Sequence, residues 1–300
     1  MELTANVVHE YIEYCEREKR LDWKTLKAYR TDLRQFLEYL QAEKLEFTRE
    51  AVKGCAARMN ERFKPRTVRR KLASVRALTT WLLDEKRLPR NPFENLRVKL
   101  REPRLLPRVL PLRVVGRMLA AARRAADGGP AALCEAAVLE TLFVTGIRVS
   151  ELCGLRARDV DLREGVFYIF GKGKKERVIP VENAEVLGLL RRYAREASPE
   201  LDAPFFRSRR GTRLSEQSVR RIVRKYGKQV DYPTRITPHM FRHTVATLLL
   251  ENDVDLRYIQ QFLGHASILT TQIYTHVAPA RQRDILRERH PRNAFTFEGE

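Results

Sequence analysis

Apolar residues in the first ninety positions recur at spacings of three and four residues, in four separate stripes. Such spacing places side chains along one face of an α-helix, because each residue turns the helix by about 100°. The stripes are Val8, Tyr11, Ile12 and Cys15; Leu26, Tyr29, Leu33, Phe36, Leu37 and Leu40; Val52, Cys55, Ala56 and Met59; and Val68, Leu72, Val75, Leu78 and Leu82. We therefore predict a small all-helical domain over residues 1–90.

Prolines interrupt this pattern between residues 88 and 111. The stretch RLPRNPFENLRVKLREPRLLPRVLP holds five prolines and little helical spacing. Proline lacks an amide N–H and has a fixed φ, so this density excludes a helix and favours an extended, semi-rigid tether. The sequence predicts a linker over residues 91–111, with a domain boundary near residue 104.

The pattern after the linker predicts a second, mixed domain over residues 112–289. Helical stripes over 114–126 and 131–145 come first. The stretch FYIFGKGKKERVIPV then places β-branched and aromatic residues on both sides of two glycines, which is typical of a β-hairpin. Helical spacing returns from residue 184 to 289, before a tail over 290–300. The predicted fold class is mainly α, or α+β overall, with a small antiparallel sheet.

The net charge of the chain indicates the class of partner that it binds. The chain has 58 Lys and Arg against 38 Asp and Glu, a net charge of +20 that points to a polyanion. Residues 1–104 carry 25 basic and 16 acidic side chains, or +9, so residues 105–300 carry 33 and 22, or +11. Because both predicted domains share the excess, we expect both to face phosphate, with nucleic acid ahead of an anionic membrane surface as the partner. Charge that serves solubility alone is the remaining alternative.

The cysteines and the N-terminus indicate the compartment. The four cysteines lie far apart without a C-x-x-C pair, which favours reduced core thiols; they are Cys15, Cys55, Cys134 and Cys153. The first twenty residues lack a basic segment followed by an apolar one, and the chain has no run of 18 apolar residues. We expect a cytoplasmic protein with no secretion signal and no membrane span.

The fourth predicted helix carries a cluster of positive charge. Its segment TVRRKLASVR places basic side chains mostly away from the apolar stripe; they are Arg66, Arg69, Arg70, Lys71 and Arg76. Such runs most often form a solvated face. In a chain of this charge, a helix that contacts the groove or backbone of DNA is an equal hypothesis.

Two candidate catalytic residues lie at tight turns of the second domain. In TGIRVSELCGL, Arg148 follows a glycine at a predicted turn between helices, where Ser150 and Glu151 can cap the next helix. In GKGKK, Lys172 lies between two glycines at the predicted hairpin tip, where the backbone can approach a ligand closely. Taken alone, the arginine fits an ordinary surface position better than a site, and the lysine is weak evidence because lysines are common in turns. Two further lysines follow the tip and are candidate DNA contacts: Lys174 and Lys175.

The segment ITPHMFRHTVATLLL predicts a helix that begins at Pro238 with Thr237 as its N-cap. His239 and Arg242 are three residues apart, and we expect them to leave the apolar face together near a helix N-terminus that favours phosphate. A zinc site built on His239 and His243 is a weak alternative. The glutamate of an H-E-x-x-H helix is missing, and no third ligand is evident.

The stretch LGHASILTTQIYTHV places His265 and Tyr274 nine residues apart. On one straight helix, that separation puts two side chains on opposite faces, roughly 13 Å apart along the axis. We predict that the first helix ends at Gly264 and that Ser267 caps a second helix, which would let the two side chains converge. A core tyrosine is the default alternative for Tyr274.

These side chains together suit one kind of chemistry. Two arginines, a lysine, two histidines and a tyrosine, without clustered carboxylates, do not make a two-metal nuclease. Arg148 and Arg242 would bind the non-bridging oxygens of a phosphodiester and neutralise its developing charge. Tyr274 would be the nucleophile, and Lys172 the acid that protonates the departing 5′ oxygen.

The chain resembles the tyrosine site-specific recombinases of the Xer and phage-integrase family. The matching motifs are TGIRVSEL, GKGKKERVIP, HMFRHTVAT, LGHAS and IYTHV, and in the first domain TLKAYRTDLRQFLEYL and TVRRKLASVRALTTWL. All six catalytic positions of the family have the expected residue type in order: Arg148, Lys172, His239, Arg242, His265 and Tyr274. The resemblance covers residues 5–285.

The resemblance implies a fold, a reaction and partners. It implies a helical core-binding domain and a catalytic domain that clamp duplex DNA, and a 3′-phosphotyrosyl intermediate that requires neither cofactor nor metal. It also implies DNA with an inverted-repeat core site, bound by a homo-tetramer or by a hetero-tetramer with a related recombinase. In the family the C-terminal segment often docks on a neighbouring subunit, and Phe295 and Phe297 make the tail here a candidate for that role.

Two other functions remain open from the sequence. One is a topoisomerase of the same chemistry, which nicks and reseals one strand without exchange. The other is a DNA-binding regulator that keeps the fold without the activity. The sequence also leaves open the target site, and whether the role is chromosome-dimer resolution or the movement of a transposon, plasmid or phage.

Overall fold

The computed structural model describes residues 1–96, 98, 109–170, 176–264 and 279–297. The chain divides into two compact units, Met1–Leu105 and Leu106–Glu300. Each unit has its own hydrophobic core of buried side chains.

The first unit contains the four helices that the apolar stripes predict. They are α1 (Ala5–Arg17), α2 (Trp23–Ala42), α3 (Arg49–Arg62) and α4 (Pro65–Asp84). Side-chain oxygens of Thr4, Asp22 and Thr48 accept backbone N–H groups at the starts of the first three helices, which satisfies donors that a helix leaves unpaired. The stripe residues face inward, and Leu33 and Val75 are fully buried. The prediction of an all-helical unit is confirmed.

Lys71 does not lie on the exposed basic face predicted for α4. It is 3% exposed, and its ammonium group lies 3.1 Å from the carboxylate of Asp32, which is also buried. Ser74 donates to the same carboxylate at 2.8 Å. A buried ammonium group requires a paired carboxylate, so Lys71 holds α4 to α2 and is unavailable to DNA.

The second unit is mainly helical around a small sheet. Its helices are α5 (Leu112–Ala125), α6 (Pro130–Thr145), α7 (Val149–Gly154), α8 (Ala184–Ala197), α9 (Glu216–Gly227), α10 (Pro238–Glu251), α11 (Leu256–Leu263) and α12 (Pro279–Arg289). Its strands are β1 (Val160–Asp161), β2 (Val166–Phe170) and β3 (Glu176–Pro180). α6 is buried on nearly every face, as its apolar composition requires. The predicted fold class is confirmed.

The sheet is antiparallel in the order β1-β2-β3. β2 pairs with β3 in a register that sets Phe167 against Ile179, both fully buried, and Tyr168 against Val178, both exposed. The two strands of the predicted hairpin are therefore confirmed, whereas its tip at 171–175 lies outside the described residues. β1 was not predicted, because two residues are too short to carry an alternating pattern.

The C-terminal segment packs on its own unit. A 3₁₀ turn over Pro291–Ala294 buries Arg292 completely, and its guanidinium group contacts Glu140 of α6 at 2.7 Å and Glu185 of α8 at 3.1 Å. Phe295 packs so closely on α5 that a Cβ at Gly116 would lie 2.7 Å from its ring. In the single chain, the described part of the tail therefore packs on the second unit.

Two further observations concern the cysteines and the length of the helices. The four cysteines are buried and form no disulfide among the described residues. Across those same residues, no helix combines the length and apolarity needed to cross a bilayer.

Candidate active site

Three arginines and one glutamate converge where α7, α10, β3 and the end of α11 meet. The first is Arg148, the N-cap residue of α7, which follows the turn after α6. Its backbone N–H donates to Glu151 Oε2 at 3.0 Å, and its Nη1 donates to Glu151 Oε1 at 2.7 Å. Glu151 thus caps this helix as predicted, whereas Ser150 lies within its first turn. Arg148 Nη2 donates to the carbonyl of Gly264 at 2.7 Å.

Gly146 allows this turn to form. Its φ of +56° is the left-handed conformation that side chains disfavour. A Cβ at this position would also lie 2.7 Å from Leu263 Cδ2. Glycine is therefore required both for the turn that presents Arg148 and for the close approach of α11.

Arg242 enters the site from α10, and its burial was not predicted. The sequence places it off the apolar face with His239, but it is 5% exposed. Its Nη1 donates to the carbonyl of Gly146 at 2.8 Å, and its Nη2 donates to the carbonyl of Leu263. These two carbonyls solvate the guanidinium group inside the protein, so an arginine lies where the pattern predicts an exposed residue.

Glu151 and Arg177 complete the cluster, and neither was proposed as a site residue from the sequence. Arg177 lies on β3, donates from Nη2 to Glu151 Oε2 at 2.7 Å, and donates from Nε to the carbonyl of Phe262 at 3.0 Å. A signal for Arg177 exists in the sequence, because the alternation of β3 puts it on the same face as buried Ile179.

The end of α11 is the element that these arginines share. The helix stops at Gly264, whose φ is +66° and whose backbone N–H donates back into the last turn. The predicted break after Leu263 is confirmed, whereas the restart at Ser267 lies outside the described residues. The carbonyls of Phe262, Leu263 and Gly264 each accept from one guanidinium group. Positive charge is favourable there, because the C-terminal end of a helix carries partial negative charge.

The electrostatics of the cluster favour an added anion. Among the described residues of this cluster, three guanidinium groups lie close to one carboxylate, which leaves an excess of two positive charges. Burial and the positive charges of Arg148 and Arg177 lower the pKa of Arg242, although a guanidinium group stays protonated at neutral pH. Burial alone would raise the pKa of Glu151, but hydrogen bonds and charge from Arg177 and Arg148 hold it below its usual value. A phosphate would offset the repulsion among these cations.

His239 lies at the first turn of the same helix as Arg242. α10 begins at Pro238 after Thr237, as predicted, and His239 is exposed. Its ring stacks on that of His243, with centroids 5.9 Å apart. Among the described residues, no group of three or more His, Cys, Asp or Glu side chains is arranged to hold a metal ion.

Five of the predicted site residues lie outside the described residues. They are Lys172, Lys174, Lys175, His265 and Tyr274. The structure thus brings together Arg148 and Arg242, with His239 on the same helix, and one described range closes at Gly264, the residue immediately before His265.

The predicted DNA face of α4 lies in the first unit. Four of its five basic residues are exposed: Arg66, Arg69, Arg70 and Arg76. Arg70 also pairs with buried Asp32, and Arg76 lies 5.0 Å above the ring of Phe93. The exposed face therefore consists of arginines, with Lys71 beneath it.

Comparisons with known proteins show matches in both units of the chain. Residues 108–281 match the phage integrase family, and residues 8–86 match the phage integrase N-terminal SAM-like domain. A tyrosine recombinase of Agathobacter rectalis is 44% identical over 299 residues, 97% of this chain and 98% of its own. The tyrosine recombinase XerD of Listeria innocua is 34% identical, over 96% of this chain and 99% of its own.

Solved structures share the fold. The XerH site-specific recombinase bound to its palindromic difH substrate matches with a TM-score of 0.72 at 20% identity, over 92% of this chain and 83% of that one. A λ integrase tetramer bound to a Holliday junction matches with a TM-score of 0.68 at 18% identity, over 95% and 78%. Because the relatives from Agathobacter rectalis and Listeria innocua are 44% and 34% identical over nearly the whole chain, the chain belongs to the phage integrase family of tyrosine recombinases, the enzymes of site-specific DNA recombination.

Proposed function

We propose that this chain cuts and rejoins double-stranded DNA by transesterification through a 3′-phosphotyrosyl intermediate on Tyr274. The observation that carries the proposal is the convergence of Arg148 and Arg242 on consecutive carbonyls, those of Gly264 and Leu263. Residues 94 positions apart thereby meet directly before His265, at a site with excess positive charge. A scissile phosphate is the anion that such a site suits.

The arginines would act on the phosphate. Arg148 and Arg242 donate to its non-bridging oxygens, and their charge stabilises the more negative transition state. In this structure both guanidinium groups are already held by backbone carbonyls, so their orientation is set before DNA binds. In this proposal, His239 and His265 would supply the remaining polar contacts to the phosphate.

The covalent step conserves the number of phosphoester bonds. The Tyr274 oxygen attacks phosphorus, the bond to the 5′ oxygen breaks, and Lys172 protonates that departing oxygen. A free 5′-hydroxyl of a partner strand then attacks the phosphotyrosine, and tyrosine leaves. Because one phosphoester replaces another at each step, the reaction needs no nucleoside triphosphate.

We propose that the DNA carries an inverted repeat and that four subunits act on two synapsed sites. The solved relatives on palindromic DNA and on a Holliday junction support this arrangement. The exposed arginines of α4 and the lysines of the hairpin tip would contact the DNA backbone. The proposed assembly of four subunits is built either from this chain alone or from this chain and a related recombinase, and it acts on DNA in the cytoplasm.

Two-site plasmids test the function. Sites that the purified chain selects from random duplex DNA are placed in direct and in inverted orientation on one plasmid. The proposal predicts deletion from direct sites and inversion between inverted sites, and neither product with Arg148→Ala or Arg242→Ala. Relaxed plasmid without rearrangement would identify a topoisomerase. Binding without any covalent adduct would identify a regulator.

A further inference from the structure

We propose that Arg177 is a positioning residue for recombination, which clamps Glu151 to the end of α11 and so orients Arg148 and the chain leading into His265. The inference rests on the proposed function. Arg177 lies outside the six catalytic positions, and its role follows from its contacts in this chain.

Arg177 binds two elements at once. Its Nη1 and Nη2 donate to the two oxygens of Glu151 at 3.2 and 2.7 Å, while its Nε donates to the carbonyl of Phe262 at 3.0 Å. The side chain is 10% exposed, so water screens these contacts little. β3 therefore joins the start of α7 to the end of α11 through one guanidinium group.

Only arginine has the geometry for this contact. Its planar fork offers two parallel donors to a carboxylate and a further donor in another direction, whereas a lysine ammonium group is a point charge. The guanidinium group also packs against Gly264, since a Cβ there would lie 3.0 Å from Nη1 and 3.1 Å from Cδ. The two residues therefore fit each other closely.

Glu151 transmits the position of Arg177 to Arg148. Its Oε1 accepts from Nη1 of both arginines, and its Oε2 accepts from the backbone N–H of Arg148 and from Nη2 of Arg177. Without Arg177, Arg148 would be the remaining ion-pair partner of this buried carboxylate among the described residues. Arg148 would then be drawn toward Glu151 and away from a phosphate, and the carbonyl of Phe262 would lose its donor.

Single-turnover cleavage of a nicked suicide substrate tests this role. At saturating DNA, we expect Arg177→Met and Arg177→Lys each to slow covalent adduct formation by about 10²-fold, as for a misplacement of about 1 Å. DNA affinity should change little, because the exposed cations remain. Full activity of Arg177→Lys would overturn the proposal, since charge alone would then suffice.

A matched control is available in α12. Arg283 also bridges a carboxylate and a carbonyl, those of Glu182 at 3.3 Å and Glu164 at 3.0 Å, but away from the arginine cluster. Arg283→Met should leave the cleavage rate near that of the wild type. An equal loss in Arg283→Met and Arg177→Met would assign both residues to general stability and overturn the proposal.

A neutral scissile phosphate separates positioning from folding. A methylphosphonate carries no anionic oxygen, so less charge has to be neutralised by Arg148. If Arg177 acts through Arg148, Arg177→Met should slow cleavage of the phosphate at least tenfold more than cleavage of the methylphosphonate. Equal losses on both substrates would overturn the proposal, and Arg177→Lys serves the same comparison if Arg177→Met does not fold. Absence of any adduct with wild-type protein would instead contradict the proposed function.

Discussion

Arg148 donates from Nη2 to the carbonyl oxygen of Gly264 at 2.7 Å, so a predicted catalytic residue holds the backbone immediately before another, His265. Arg242 holds the preceding carbonyl, that of Leu263. The site is therefore built around the end of α11, and the positions of its arginines are coupled to the chain that leads toward Tyr274. Substitutions that move this helix end should affect catalysis before they affect DNA binding.

Gly146 tests that coupling. Gly146→Ala adds a Cβ within 2.7 Å of Leu263 Cδ2 and requires a left-handed backbone at alanine. We expect a loss of about 1 to 3 kcal/mol in the free energy of unfolding, together with a severe loss of cleavage. Chemical denaturation and single-turnover cleavage measure the two effects.

Gly188→Ala is the control for that substitution. Gly188 lies inside α8, and no described atom lies within 4 Å of where its Cβ would be. We expect unchanged cleavage and a stability equal to the wild type or higher by up to about 1 kcal/mol. If Gly146→Ala and Gly188→Ala have the same stability and the same cleavage rate, the close approach of Gly146 to α11 is not required for the site.

Arg292 tests whether the tail docks on its own unit. Arg292→Met leaves Arg123 as the remaining ion-pair partner of the buried Glu140 carboxylate within the described part of the chain. We expect the monomeric chain to lose about 3 kcal/mol of stability, the low end for breaking a buried pair. Arg287→Met removes an ion pair from a side chain that is 63% exposed and should cost less than about 1 kcal/mol. Equal, small effects would place the tail elsewhere in the free protein.

The burial of His290 predicts that the folded protein loses stability in acid. Burial, and secondarily the charge of Arg292, lower the pKa of His290 to about 3, below its usual value of about 6.5. Between these values the unfolded chain binds a proton that the folded chain excludes, so stability falls as pH falls below about 6.5. The contribution of His290 should be about 1 kcal/mol between pH 6 and pH 5.

His290→Asn isolates this contribution. Asparagine can still accept the backbone N–H of Arg292, which Nδ1 of His290 accepts at 3.0 Å, but it does not titrate. The free energy of unfolding, measured by denaturation, should fall less steeply with acid in this variant than in the wild type. If the free energy of unfolding fell with pH in the same way in His290→Asn and in the wild type, His290 would not be buried as an uncharged imidazole.

The salt dependence of DNA binding separates the exposed and buried cations of α4. Arg66→Ala should reduce the slope of log K against log salt by about 1 if Arg66 contacts a phosphate. Lys71→Met should leave the slope unchanged and instead destabilise the first unit, because Lys71 pairs with buried Asp32. If Lys71→Met reduced the slope and Arg66→Ala left it unchanged, Lys71 rather than Arg66 would be the residue that contacts DNA.

The sequence predicts the helices well because their information is local. The stripes through Leu33 and Val75 follow from spacing alone, and the break at Gly264 follows from glycine at a helix end. Periodicity does not predict the burial of Arg242, because the carbonyls that compensate its charge lie 96 and 21 residues away in the chain. Its position depends on tertiary structure.

Contacts between residues that are distant in sequence also explain why Glu151 and Arg177 were not predicted as site residues. Glu151 is recognisable as a helix cap, yet its contact with Arg177 joins residues 26 apart that only the packed sheet brings together. The aromatic residues of the tail signal a docking segment, but the surface that receives Phe295 is defined by Gly116, far away in sequence. Local patterns identify such residues without identifying their partners.

The most direct test of the account is covalent trapping with Tyr274→Phe on a nicked suicide substrate. Removal of one hydroxyl group should leave DNA binding intact and abolish the protein–DNA adduct. Tyr258→Phe is the matched control, because Tyr258 is buried in α11, where burial raises its pKa, and should keep the adduct. An adduct that persists in Tyr274→Phe and disappears in Tyr258→Phe would contradict the assignment of the nucleophile.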